Sequence, residues 1–300
     1  MSIAMRIPAV SHAPIEREVA PEQSERKRRS RWHRLGWTGF EALGVLILLA
    51  VVALAGPELW RWGALEQHMD ALLQNPSAAH PLGTDEFGRD ILARLLLGAR
   101  WSLAGAAVIC GGTSLLGFFI AALALSGGGK TDAIIGRIIE AMMALPGLVT
   151  ALAFASILGA SFVNLLFALI ITSWPWYART YRALLLKERS ALYVESAVAA
   201  GAGHWRVLLR HVLPNIIGPA AVLATANFGA VILNLAGLSF LGLGMQPPTP
   251  EWGEMINEAA RYFEDYPWQM IAPGLCIAAT VLSINLLGDG LRDVADPRTR

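Results

Sequence analysis

Residues 141–178 contain no Asp, Glu, Lys or Arg, and neither do residues 101–129 or 211–250. About 20 mostly apolar residues suffice for an α-helix to cross the hydrocarbon of a bilayer. Inside that layer each backbone amide must be satisfied by the spanning structure itself, which favours helices. These runs therefore define an all-α membrane protein before any motif is read. Two further runs complete the set. One lies between Arg34 and Glu58, broken only by Glu41 and rimmed by Trp37 and Trp60; the other covers 266–288. The run 141–178 is long enough for two spans, with the turn placed at Gly159–Ser161 and Asn164. The reading is six transmembrane helices. A charged fraction of 16% agrees with it, because soluble domains carry about a quarter.

Basic residues set the orientation. The pieces 1–35, 126–137, 179–211 and 289–300 hold 19 of the 24 Lys and Arg residues. The N-terminus is therefore expected in the cytoplasm, with 57–100 and 244–268 outside. Residues 1–35 read as a basic cytoplasmic tail that contains Arg26-Lys27-Arg28-Arg29-Ser30-Arg31, and residues 36–300 as one six-helix domain. Ala53-Leu54-Ala55 mimics a signal-peptidase site, but a charged leader of about 35 residues is long for a signal peptide.

Several function classes are disfavoured. A net charge of +1 gives no field for nucleic acid. Cys110 and Cys276 both sit in apolar runs, and neither they nor the six histidines show metal-site spacing. "GGGKT" at 127–131 resembles part of a phosphate loop, yet Ala124 stands where G-x-x-x-x-G-K-[ST] needs glycine. The stretch also follows an apolar run, so it reads as a tight turn. The spans lack a deep ionisable group, which argues against a secondary transporter driving itself. Glu41 and Glu140 read as interfacial. Pro146-Gly147 marks a possible helix break, and Asn227, Asn234 and Asn285 either join helices or line a passage.

The segment "YVESAVAAGAGHWRVLLRHVLPN", 193–215, is unlike its apolar neighbours. Residues 190–200 form a helix candidate with Ser190 as its cap, closed by Gly201 and Gly203. Trp205, Leu208, Leu209, Val212 and Leu213 then fall on one helical face, and Pro214 closes that helix. Two short helices joined at a glycine turn, outside the membrane, make a docking surface for another subunit or simply a connector beneath the bundle.

Glu195-Ser196-Ala197, Gly201 and Leu213-Pro214 resemble the EAA loop of ABC importer permeases. Ser196 replaces the usual alanine and His211 a common isoleucine. "HPLGTDEFGRDILARLLLGARWSL" (80–103), "LSFLGLGMQPPTPEWGEM" (238–255) and "NLLGDGLRDVADP" (285–297) resemble the corresponding segments of dipeptide, oligopeptide and nickel permeases, in their second, smaller subunit. The likeness covers about 80–297, with the EAA-type loop at about 190–214; residues 57–79 are its weak region.

The resemblance implies a permease subunit in the bacterial inner membrane, paired with a homologous second permease. It further implies two ATPase subunits that bind ATP and Mg, an extracytoplasmic binding protein, and no cofactor or catalytic residue in this chain. ATPase coupling would fall to Tyr193, Glu195, Ser196, Ala197, Gly201, Leu213 and Pro214. An outer structural or gating role would fall to Gly83, Asp85, Gly88, Arg89, Asp90, Pro250, Glu251 and Trp252. From the residues alone, Thr84 or Asp85 would cap a helix running through Leu97, with Arg89, Arg94 and Arg100 pairing with Asp85, Glu86 and Asp90. Di- or oligopeptide is the first expectation for cargo; nickel complexes and glutathione-like molecules are the alternatives.

Overall fold

The computed structural model describes residues 36–60 and 63–295. The basic tail and Pro297 lie outside the described residues. Among these residues the architecture is helical: α1 (Gly36–Leu59), α2 (Ile91–Ser126), α3 (Gly128–Met143), α4 (Gly147–Leu158), α5 (Phe162–Arg189), α6 (Leu192–Ala199), α7 (His204–Val207), α8 (Leu213–Phe240), α9 (Trp252–Ala259) and α10 (Trp268–Ala295). A π-helical turn, Leu208–Val212, joins α7 to α8.

The spine is α2. Its 36 residues correspond to about 54 Å at 1.5 Å per residue. It packs along α5 and also touches α1 and α8, while α10 closes the bundle against α8 and α1. Small residues make the α2–α5 crossing tight. A Cβ on Gly117 would come within 2.6 Å of the Tyr177 Cβ and 2.9 Å of the Ala178 nitrogen. Small residues at a crossing let helix backbones approach, which is how membrane helices gain packing energy where lipid is as apolar as leucine. The outer faces stay apolar and uncovered, with Leu115 72% and Ile157 83% exposed.

Four helical stretches are long and apolar enough to cross a bilayer: Glu41–Leu59, Ile91–Ser126, Leu208–Phe240 and Trp268–Arg292. A fifth crossing arises if α3 and α4, bent by 89°, count as one broken span. The expected six differ from this count over 141–189. Helix α4 has only 12 residues, because Pro146 lacks an amide hydrogen and disfavours helical backbone in the residue before it. Helix α5 is long, but its second half carries Arg179, Arg182, Lys187, Glu188 and Arg189. The turn between them falls at Gly159–Ser161, where the Asn164 side chain donates to the carbonyls of Leu158 and Gly159 at 2.8 and 3.1 Å.

Candidate functional site

Helix α2 joins two contrasting poles. At its Ser126 end the chain leaves α5 and builds the segment singled out by sequence. Ser190 ends α5 rather than capping the next helix; its hydroxyl donates to the Lys187 carbonyl. Helix α6 begins after Ala191 with no side-chain cap, and Val194 is its buried residue. Val194 packs with Tyr181, Leu185, Val207, Val212 and Ile216. The rest of α6 faces outward, with Leu192 80% and Val198 57% exposed.

The end of α6 is a Schellman motif. The Gly201 amide donates to Val198 and the Ala202 amide to Ala197, while Gly201 adopts a φ of +83°. That conformation disfavours a side chain for backbone reasons alone, since a Cβ there would meet open space. Gly203 is not in this conformation.

The next face differs from the sequence reading. Val207, Val212 and Ile216 are buried, whereas Leu209 is 57% exposed. The π turn explains the shift. Its i→i+5 bonding adds a residue to the turn, so the buried stripe steps by five from Val207 to Val212. Pro214 does not close this helix either. It occupies the first turn of α8, where a missing amide hydrogen costs little. Leu213 packs against the Val212 cluster and Pro214 is exposed.

Tyr193 ties the pole together. Its hydroxyl donates to Glu188 Oε2 at 2.5 Å and accepts from Asn215 Nδ2 at 3.0 Å. Burial, then the Glu188 carboxylate, pushes the Tyr193 phenol up from its usual range. Glu195 and Ser196 are exposed, and the Ser196 hydroxyl bonds back to Leu192 at 2.8 Å. An open groove of about 520 Å³ runs between α6 and the ends of α2 and α5, lined by Glu195, Arg189 and apolar side chains. A link absent from the sequence reading sits nearby: Arg182 on α5 grips Asp132 on α3 through two bonds of 2.5 and 2.6 Å.

The Ile91 pole is charged yet buried. Asp85 accepts from the amides of Phe87 and Arg89, both at 2.9 Å, and from Arg89 Nε at 2.6 Å. Arg94 lies 3.5 Å from the same carboxylate. Both guanidiniums also reach Glu258 on α9, Arg89 at 3.3 Å and Arg94 by a shorter contact. The helix cap is Asp90, not Thr84 or Asp85. Its carboxylate accepts from the Ala93 amide at 2.7 Å and from Trp60 Nε1 at 3.1 Å, and His80 Nδ1 lies 2.7 Å away. Arg100 turns instead to α1, bonding the carbonyls of Ala53 and Leu54.

Gly83 and Gly88 both have positive φ, and added Cβ atoms would collide with the carbonyls of Gln74 and His68. Residues 68–74 therefore lie against this loop: Gln74 pairs with Thr84, and the Leu73 amide donates to the Asp85 carbonyl. Pro250 and Trp252 are buried, and Glu251 is fully buried at the start of α9. Glu251 accepts from the amides of Gly253 and Glu254 and from Ser102 Oγ at 2.6 Å. The Ser102 oxygen accepts in turn from the Trp252 amide, and Trp252 Nε1 donates to Leu95. Burial, then repulsion from Glu258 and Glu251, pushes Glu254 up to about 7. Burial also raises Glu86.

Sequence reading missed Glu258, Ser102 and His80. The spacing Glu251, Glu254, Glu258 puts all three on neighbouring turns of one helix and was the available signal for Glu258. Among the three asparagines, Asn227 donates to Tyr177 Oη at 3.1 Å, and Asn285 approaches Gly229 where α8 meets α10. Asn234 opens into a groove. No group of three His, Cys, Asp or Glu residues among those described is arranged to hold a metal ion.

The fold and its two poles define a multi-pass helical membrane component, with a buried charged network at one end and the short, largely exposed α6 at the other. Residues 113–300 match the family described as binding-protein-dependent transport system inner membrane component, and the chain belongs to that family, the ABC importer permeases. It is 37% identical over 268 residues to a dipeptide transport system permease protein of Alkalihalophilus pseudofirmus, covering 89% of this chain and 87% of that one. It is 42% identical over 270 residues to a di/tripeptide transport system permease protein of Pseudomonas aeruginosa (86% and 88%). It is 38% identical over 262 residues to a nickel transport system permease protein of Escherichia coli (87% and 94%). The chain is thus a multi-pass protein of the inner membrane.

Proposed function

We propose that this chain forms half of the translocation pathway of an ATP-driven importer of di- or oligopeptides. In this reading it crosses the membrane six times, through α1, α2, the α3–α4 pair, α5, α8 and α10. The N-terminus is cytoplasmic, the Ser126 pole faces the cytoplasm and the Ile91 pole faces outward. One of two ATPase subunits docks on α6, a homologous permease completes the bundle and receives the other, and an extracytoplasmic binding protein delivers cargo to the braced pole.

The observation that carries the coupling role is the mounting of α6. It is short, projects apolar and acidic side chains outward, and is fixed by Val194 and the Gly201 turn. ATP binding on the partners would favour one orientation of this prominence, and a ligand drives a conformational equilibrium only through such a preference. Glu195, Ser196 and Ala197 would meet the ATPase surface, while Leu213 at the π turn would pass the motion into α8. ATP and Mg belong to the partners, because Ala124 breaks the phosphate-loop pattern here.

Relatives named for dipeptide or di/tripeptide transport make peptide the first reading for cargo, with nickel complexes and glutathione as the alternatives. The test is reconstitution of the affinity-purified assembly in proteoliposomes. Dipeptide uptake that requires both ATP and the binding protein supports the assignment. Uptake by this chain alone that persists without ATP and collapses with an ionophore would return it to the secondary transporters.

A further inference from the structure

Asn234 is set apart from the other asparagines of α8. Asn215 bonds Tyr193 and the His211 carbonyl, and Asn227 bonds Tyr177. The Asn234 carboxamide has no hydrogen-bond partner among the described residues, although it is half-buried. It faces a groove of about 320 Å³ between α8, the middle of α5 and the α3–α4 elbow. On the α5 wall Ser173 is likewise unbonded, and Thr172 donates to the Ala168 carbonyl at 2.8 Å. Met142, Leu148 and Trp176 supply apolar surface.

Unpaired amides and hydroxyls are expensive in hydrocarbon. Two of them on facing helices, in sequence runs free of charge, mark a place that water or solute reaches. In the six-span reading, with α5 entering the bilayer at Phe162, Ser173 lies 11 residues in, about 16 Å at 1.5 Å per residue, near the middle of a hydrocarbon core about 30 Å thick; Asn234 lies six residues from the Phe240 end of α8, about 9 Å. The elbow at Ala144–Pro146 borders the same groove, and broken helices are tolerated at membrane depth where they line a cavity.

We propose that this groove is the chain's contribution to the solute path, and that Asn234 and Ser173 hydrogen-bond the amide groups of a passing peptide. The inference rests on the permease reading above. A carboxamide offers both donors and an acceptor, which complements a peptide unit on either edge. The groove lining contains no Asp, Glu, Lys, Arg or His. It therefore holds neither terminus as an ion pair and lets cargo leave as readily as it enters. Nor does it supply the carboxylate or imidazole ligands that suit a divalent metal.

The test uses the complete assembly in proteoliposomes, with Asn234→Cys, Ser173→Cys and Leu233→Cys. Leu233 is the adjacent residue, 52% exposed and outside the groove lining. A water-soluble, membrane-impermeant methanethiosulfonate reagent is applied with and without ATP, and labelling is counted above that of the unsubstituted chain. Asn234→Cys and Ser173→Cys are expected to label several-fold faster than Leu233→Cys in at least one nucleotide state. Dipeptide-loaded binding protein is expected to slow that labelling. Labelling of both no faster than Leu233→Cys overturns the path assignment, and fast labelling that dipeptide leaves unchanged overturns the peptide contact. Should either variant fail to assemble, the other reports alone. Failure of the unsubstituted assembly to hydrolyse ATP in response to loaded binding protein would instead defeat the importer reading itself.

Discussion

Arg94, in the first turn of α2, and Glu258, 164 positions later on α9, form a buried charge-assisted contact that the Arg89 guanidinium shares. The arrangement clamps the loop ahead of α2, together with α9, to the start of the spine. Its logic is that of a buried network. Desolvating two guanidiniums is costly, and Asp85 and Glu258 offset that cost only together.

Removing one partner should therefore matter more than removing a surface ion pair. Glu258→Gln leaves Asp85 as the one carboxylate within 4 Å of Arg89 and Arg94 among the described residues, and a loss of about 3–5 kcal/mol is expected for breaking such a pair from one side. Thermal unfolding of the detergent-purified chain is the measurement. A midpoint equal to that of the parent would mean that water already reaches this site.

Glu254 gives the Ile91 pole a pH dependence of definite sign. Its folded value is raised from 4.5 to about 7, first by burial and then by Glu258 and Glu251, with Arg94 opposing. The folded state holds this proton more tightly than the unfolded state. The associated stability is thus complete at pH below about 4.5 and is lost as pH rises towards 7. Glu254→Gln should flatten that part of the stability profile and leave a more stable protein at pH 8. An unchanged profile would place the titration elsewhere.

At Gly201 the obstacle to substitution is φ, not space. A non-glycine residue in the left-handed region costs about 1–2 kcal/mol, and asparagine tolerates it better than branched residues. Gly201→Asn should retain most ATP-driven uptake, whereas Gly201→Val should lose much of it while still inserting in the membrane. Equal uptake by the two variants would separate this turn from coupling.

Ser102 joins α2 to the start of α9 by donating to Glu251 and accepting from the Trp252 amide. Ser102→Ala leaves a buried carboxylate oxygen and a buried amide each short of a partner, at a cost of about 1–3 kcal/mol. Denaturation of Ser102→Ala beside Ser102→Thr separates the hydroxyl from the volume. A destabilised alanine variant with a milder threonine variant is the expected pattern.

Much of the membrane architecture was legible because its cause is local. Apolar run length reflects bilayer thickness, so α1, α2, α8 and α10 follow from composition alone. Pro146 and Gly201 likewise announce their break and turn, since ring geometry and a missing Cβ act on the residue itself. The charged loop was legible only as a list of candidate partners. Its sequence suggested arginines pairing with Asp85, Glu86 and Asp90, but not the choice among them.

Composition determined the class of this protein: apolar runs long enough to be helices in a bilayer, with a segment of small and basic residues set between two of them. Tertiary structure decided what depends on the meeting of distant residues. It brought Glu258 to Arg89 and Arg94, and Ser102 to Glu251. It shifted the buried stripe after Gly203 by one residue through a π turn, and left Asn234 unpaired while Asn227 found Tyr177. The reason is physical. Helix formation in lipid is governed by each segment's own backbone and length, whereas the pairing of a buried polar group depends on which neighbours the packed bundle brings within about 3 Å.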